Sequence, residues 1–205
     1  IDSLKGNNIK IIGNPRYTEV LLNYMSKDNY NNLLIIGGSL GSKKINEIIL
    51  NNIEKLKDIK ITLITGNKYY NENIIKIQNL MTIYQNLMIY PFVNELVSMM
   101  SQASIIISRS GATTINEIMA LRKCSILIPS PNVTENHQLK NALYLKDHNA
   151  CLMIEEKDLN IDVLLKNIFL LYNNYNYKKE MENNIKKIIT NNPKEDFIKA
   201  IREII

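Results

Sequence analysis

Three short segments carry most of the polar residues whose spacing could do chemistry, and each follows an apolar run. Gly37-Gly38-Ser39-Leu40-Gly41-Ser42 stands between Leu33–Ile36 and a stretch with Ile45, Ile48, Ile49, Ile53 and Leu56 on one helical face. A glycine turn there lets backbone N–H groups approach a phosphate at the positively polarised start of a helix. It lacks the Gly-Lys-Ser/Thr ending of a Walker loop and does not match G-x-G-x-x-G. A plain tight turn needing positive φ would use the same glycines. Ser108-Arg109-Ser110-Gly111-Ala112-Thr113-Thr114-Ile115-Asn116-Glu117 also runs from a strand pattern into a helix pattern, with hydroxyls and unpaired backbone donors at its opening turn. Glu117, one turn inside, could accept both hydrogen bonds of a sugar diol. Equally, Thr114-x-x-Glu117 reads as a capping box that occupies the carboxylate locally. The third segment runs from Pro129-Ser130-Pro131 through Glu135-Asn136-His137-Gln138 to Asn141-Ala142. Its His137, Gln138 and Asn141 are neutral groups suited to recognising hydroxyls, or simply a solvated helix face.

Other chemistries fit less well. No G-x-S-x-G nucleophile elbow is present. The two histidines are far apart, and Cys124 and Cys151 lie in apolar runs without metal-type spacing. They read as buried free thiols of a reducing cytosol, and no metal site or cofactor is expected. Twenty-five basic against 20 acidic residues give +5, an excess that favours an anionic partner. No clustered Lys/Arg stripe accompanies it, so nucleic acid is not an expected partner. Lys178, Lys179, Lys186 and Lys187 read as a solvated helix face, Met99 and Met100 as core, and His148 as a group at a helix C-terminus. No apolar run approaches the ~18 residues of a membrane span, and no secretory signal is visible. Residue 1 is Ile, and the chain is expected to lack its natural start.

These segments need a scaffold, and the rest of the chain specifies one. At 205 residues, 45% hydrophobic and 22% charged, it is long enough for one large globular domain or two small ones. Leu33–Ile36, Ile59–Thr65, Leu87–Tyr90, Ser104–Ser108, Ser125–Ile128 and Ala150–Ile154 are near-continuously apolar, the pattern of strands covered on both faces. Helical periods lie between them, which predicts an α/β fold: a Rossmann-like parallel sheet with helices on both faces. Of seven glycines, Gly13, Gly37, Gly38, Gly41, Gly66 and Gly111 sit just past strand-like runs, as do Pro15, Pro91, Pro129 and Pro131. A parallel sheet gathers those ends along one edge, where open α/β sheets bind ligands. Residues 1–30 hold one strand candidate, Ile9–Ile12. Beyond Asp158 the pattern is a helical tail: Leu159–Tyr172, Tyr177–Thr190 and Lys194–Ile205, with Asn173–Lys179 a loop or frayed start. The many asparagines are attributed to coding bias.

Taken together and in this order, the segments resemble the MurG family, bacterial transferases that add N-acetylglucosamine to the lipid-linked muramyl-pentapeptide of peptidoglycan. The resemblance rests on Gly13-Asn14-Pro15-Arg16, Gly37-Gly38-Ser39, Arg109-Ser110-Gly111-Ala112, the Glu117 helix, and Ile128 through Ala142. It implies one half of a GT-B glycosyltransferase, the donor-binding one. Residues 1–30 would be the end of the acceptor domain or a linker, and 31–172 the UDP-sugar-binding domain. Helices in 173–205 would pack back toward an acceptor domain that this chain lacks. The resemblance further implies inverting transfer from UDP-N-acetylglucosamine, converting lipid I to lipid II, with no catalytic metal. Arg16 and Ser39 would face the pyrophosphate, and the Val93 backbone would bind the uracil. Ala112, Thr113 and Thr114 would approach the phosphates, and Glu117 would hold the ribose. Gln138, with His137 and Asn141, would read the sugar. The catalytic base, the lipid-linked acceptor site and docking to the cytoplasmic membrane face would belong to the missing domain. The family's glycine loop usually continues Gln-Gly-Ala-Arg where Leu40, Ser42 and Lys43 depart from it here, which removes one amide near the sugar phosphate. The alternatives are a split-transferase or non-catalytic subunit needing a separate acceptor-domain partner, and an oxidoreductase, which the missing dinucleotide fingerprint disfavours.

Overall fold

In a computed structural model, residues 14–26, 32–38, 41–189 and 193–202 of the chain are described. The strand candidate Ile9–Ile12 lies outside them. A first helix, α1 (Pro15–Asn23), precedes six strands: β1 (Asn32–Ile36), β2 (Lys60–Ile64), β3 (Leu87–Tyr90), β4 (Ile105–Ser108), β5 (Ser125–Leu127) and β6 (Leu152–Met153). All pair in parallel in the order β3-β2-β1-β4-β5-β6. Each strand predicted within the described residues is present: β1 gains Asn32, β3 has its expected bounds, and the other four are trimmed by one or two residues at an end.

Parallel strands require crossovers, and helices supply them. The chain passes through α2 (Lys43–Leu50), α3 (Asn67–Glu72), α4 (Ile74–Ile83), α5 (Leu96–Gln102), α6 (Ala112–Ala120) and α7 (His137–Asp147). The tail is α8 (Ile161–Asn173), α9 (Tyr175–Ile188) and α10 (Pro193–Arg202). Alternate strand residues feed two cores. Leu33, Ile35, Ile61 and Ile105 pack with Ile45 and Ile49 of α2 and with Leu164, Ile168 and Leu171 of α8. Leu34, Ile36, Ile106 and Leu127 face Val97 of α5, Ile115 and Ile118 of α6, and Ala142 and Leu145 of α7. Both faces of the central strands are therefore dry, which is why their sequences do not alternate.

Several asparagines that composition alone leaves unexplained start helices. The Asn14 side chain accepts from Arg16 N (2.9 Å), Asn160 from Val163 N (3.0 Å) and Asn174 from Tyr177 N (3.0 Å). Each satisfies a donor at a helix start, a contribution of about 1 kcal/mol. The cap at Asn174 corrects the expectation for Asn173–Lys179: α8 and α9 are separated by one residue, with no loop.

A second correction concerns Lys178. Lys178, Met181 and Ile185 are buried at i, i+3, i+7 on α9, so the lysine lies on the inner stripe of that helix and not on a solvated face. Its ammonium donates to Ser104 Oγ (2.6 Å) just before β4, the kind of partner a buried charge requires. Met100 is core, as expected, and His148 Nδ1 stands 2.8 Å from the Tyr144 carbonyl at the end of α7.

Both thiols are buried, and burial pushes each up to about 12. At mildly alkaline pH the native protein should thus leave a disulfide reagent unreacted, and a denatured sample should consume it at both cysteines. Absorbance of the released thiolate, before and after denaturant, checks this.

Candidate functional site

The order of the sheet reverses between β1 and β4, and open α/β sheets form a crevice at such a switch point, outside the strand carboxyl ends. Three turns meet there. After β1 the chain folds back sharply: Gly41 N donates to Gly38 O (3.0 Å), and both glycines have positive φ (+77° and +88°). A Cβ on Gly41 would run into the Thr65 carbonyl oxygen, and one on Gly37 would stand 2.6 Å from Ser42 N. The turn is thus glycine-dependent for steric reasons as well as conformational ones. Ser42 then accepts from Ile45 N (3.4 Å) and starts α2. Ser39 lies outside the described residues.

After β4 the chain enters α6 directly. Its N-cap is Gly111, which has no side chain to offer, and Ile115 N makes the first intrahelical bond, to Gly111 O (3.0 Å). The N–H groups of Ala112, Thr113 and Thr114 accordingly have no acceptor within the helix. This removes the capping-box reading: Thr114 is the third residue of α6, not its cap. Glu117 is buried on the helix face that meets α1; its Oε1 accepts from Arg16 Nε (2.9 Å) and is ion-paired with Arg16 Nη2 (2.9 Å). Arg16 also donates to Glu19 (2.7 Å); that bond, then the one to Glu117, raises its pKa above the ordinary guanidinium value.

The third turn follows β5. Gln138 Oε1 accepts from Ser130 N (2.9 Å), which assigns the oxygen and leaves the amide NH2 free to donate. Ser110 Oγ donates to Gln138 O (2.7 Å), and Asn141 Nδ2 donates to Ser110 O (3.1 Å). The starts of α6 and α7 are thereby bonded to each other. Glu135 and Asn136, just before α7, are both left-handed (φ +53° and +54°). Such backbone costs about 1–3 kcal/mol per residue and is concentrated at sites where geometry matters.

A cavity of about 500 Å³ lies between these turns, lined by Gly38, Val93, Arg109, Ala112, Thr113, Thr114, Glu117 and Gln138 among others. Six of the ten residues singled out from the sequence therefore face one hollow, and Arg16 joins them through Glu117. Asn141 stands behind the wall, holding Ser110. His137 is exposed, with Nε2 3.9 Å from the Glu135 carboxylate, and does not line the hollow. A second cavity of about 550 Å³, lined by Gly41, Ser42, Lys44, Ser130 and Glu156, shares Gly38, Arg109 and Gln138 with the first. Sequence reasoning assigned nothing to Arg109, Ser42, Lys44 or Glu156. For Arg109 the signals were a cation at a strand end and a place in the Arg109-Ser110-Gly111-Ala112 segment of the resemblance, neither of which gives it a role, and Glu156 has none.

Residues 32–201 match the model of the glycosyltransferase family 28 C-terminal domain. The chain belongs to that family. Among curated relatives, this glycosyltransferase family 28 domain is 41% identical, over 198 residues, to a UDP-N-acetylglucosamine--N-acetylmuramyl-(pentapeptide) pyrophosphoryl-undecaprenol N-acetylglucosamine transferase of Vesicomyosocius okutanii subsp. Calyptogena okutanii (strain HA). The match covers 94% of this chain and 51% of the relative. An enzyme of the same name from Sulfurihydrogenibium sp. (strain YO3AOP1) is 38% identical over 167 residues, covering 81% of this chain and 44% of the relative. The chain thus spans about half the length of the curated relatives it matches. Among solved structures, Acinetobacter baumannii MurG is similar, with a TM-score of 0.72 at 25% identity, covering 98% of this chain and 57% of that one. Glycosyltransferase VinC, solved in complex with dTDP, shares the fold (TM-score 0.62 at 15% identity, covering 89% of this chain and 43% of that one).

The steric role of Gly41 is directly testable. Gly41→Ala should lower stability by about 1–3 kcal/mol, since it combines positive φ with a backbone clash. Urea unfolding of both proteins measures it, and an unchanged midpoint would show that the turn relaxes without cost.

Proposed function

We propose that this family 28 domain is the donor-binding half of an inverting glycosyltransferase that moves N-acetylglucosamine from UDP-N-acetylglucosamine to the lipid-linked muramyl-pentapeptide of peptidoglycan. One observation carries the reading. Unpaired amide donors, a carboxylate held by an arginine, and a free side-chain amide converge on a single hollow at the switch point. A diphosphate suits the amides of Ala112, Thr113 and Thr114, where the helix dipole adds partial positive charge. Glu117 keeps Oε2 for the ribose hydroxyls while Oε1 stays with Arg16. The Val93 backbone meets the uracil at the far end. Gln138 turns its NH2 toward the sugar, with Asn141 holding the wall behind it and His137 at the outer rim. Arg16 and Ser39 serve the pyrophosphate, and the relatives' names supply the choice of UDP-N-acetylglucosamine.

Positive charge arranged this way stabilises the departing UDP as the glycosidic bond breaks, without a proton having to move. The catalytic base, the lipid acceptor and contact with the cytoplasmic face of the membrane belong to an acceptor half. Residues 1–30 form the end of that half or the link to it. The body of the donor domain is 31–172, and the helices of 173–205 turn back toward the acceptor half. Among the described residues no helix is long and apolar enough to cross a membrane, in keeping with peripheral attachment.

Calorimetric titration of this chain with UDP-N-acetylglucosamine tests the reading. Saturable binding is expected, with negligible transfer to a lipid acceptor. Glu117→Ala should cost about 1.5–3 kcal/mol of affinity, the value of hydrogen bonds to a charged group. A wild-type chain that stays unsaturated at millimolar UDP-N-acetylglucosamine would sink the proposal.

A further inference from the structure

Arg109 has more partners in the cleft than any ligand role would leave it. Its Nη1 donates to the carbonyls of Ile128 (3.2 Å) and Pro129 (3.3 Å), after β5. Its Nη2 donates to Ser42 Oγ (2.8 Å), at the end of the glycine turn after β1. The same nitrogen is ion-paired with Glu156, which follows β6. The aliphatic stem lies along Gly38, with Cγ 3.7 Å from where a Cβ on that glycine would stand. Arg109 itself follows β4. One side chain therefore ties together the carboxyl ends of four of the six strands.

We propose that Arg109 is a positioning residue for the phosphate-facing backbone, fixing Gly38 and Ser42 against the start of α6. The inference rests on the diphosphate reading above and deepens it. A guanidinium carries five N–H donors in a rigid plane, and both Nη nitrogens are engaged here, in three hydrogen bonds and the ion pair with Glu156. That commitment distinguishes anchoring from direct contact with phosphate. The need for an anchor is local. Gly38 and Gly41 sit in left-handed backbone, and a turn rich in glycine loses more entropy on ordering than any other. Ser42 alone cannot hold it, since its hydroxyl also caps α2. Glu156 neutralises the cation and fixes its direction, and the Lys44 ammonium, which donates to the Glu156 carbonyl, holds Glu156 in turn. A lysine at 109 would be a point donor on a flexible stem and could not span these partners.

Titration of the full chain with UDP, UMP and uridine, using Arg109→Lys and Glu156→Gln, tests this. Arg109→Lys should weaken UDP by roughly tenfold or more while uridine, which does not reach the turn, keeps its affinity. Glu156→Gln retains an acceptor and should weaken UDP in the same direction but less. Exchange of the Gly41 amide, bonded to Gly38 O, should be faster in both variants without ligand. Tighter UDP binding by Glu156→Gln would overturn the inference, because a freed Arg109 would then be contacting phosphate itself. Equal losses for UDP and uridine in Arg109→Lys would also overturn it, by showing that the arginine holds the whole domain together. If Arg109→Lys fails to fold, Glu156→Gln decides by the same comparison. A wild type that binds none of the three overturns the donor reading; a wild type that binds UDP alongside unaffected variants overturns this inference alone.

Discussion

The amides of Ala112, Thr113 and Thr114 find no acceptor within their helix, and the cleft is organised around that deficit. Most helices close their first turn with a Ser, Thr, Asp or Asn side chain, as α1, α8 and α9 do here with asparagine. Gly111 cannot. Water satisfies the donors in a free protein, but an anion does so better, because the peptide dipoles of α6 add along its axis toward the same point. The neighbouring structure leaves a hollow at that end, lined also by Gly38, Phe92, Val93 and Gln138.

Charge balance explains the side chains around this opening. An unpaired carboxylate beside helix donors would compete with an incoming anion. Glu117 avoids this through Arg16, which neutralises it and meets only Oε1, through Nε and Nη2. Arg109 and Glu156 repeat the pairing on the opposite wall. Two cation–carboxylate pairs thus stand at the cleft, and the oriented backbone at the start of α6 adds its own attraction for an anion. Oriented backbone requires no rearrangement on binding, and preorganisation of that kind is where such sites gain most.

The sheet was almost wholly legible because strands buried on both faces leave an unbroken apolar record, here rich in isoleucine, that few other elements produce. The ligand edge was legible for a related reason: glycine and proline mark strand ends, and parallel pairing collects those ends. What escaped were partnerships. Arg16 and Glu117 are 101 residues apart, and nothing local to either predicts the other. Thr114-x-x-Glu117 matched a capping pattern because that pattern cannot show which residue begins the helix; the absence of a side chain at Gly111 decided it. The Asn173–Lys179 stretch read as a loop or a frayed helix start because asparagine favours both turns and helix caps, and Asn174 serves as a cap. Lys178 read as solvated because its charge outweighed its place in a buried helical stripe.

The crossed order of the sheet has a consequence for how the domain assembles. Residues that meet in the cleft are drawn from position 16 to position 156, and β1 is flanked by β2, the next strand, on one side and by β4, which begins at Ile105, on the other. Closing such distant pairings is slow, since long loops lose entropy before any contact repays it. The end of β2 supports the glycine turn first, through Gly37 N to Ile64 O (3.3 Å) and Gly41 against Thr65, while the Arg109 and Glu156 contacts wait for β4, β5 and β6. The walls of the cleft, drawn from both sides of β1, therefore come together only after the long β1–β4 crossover has closed.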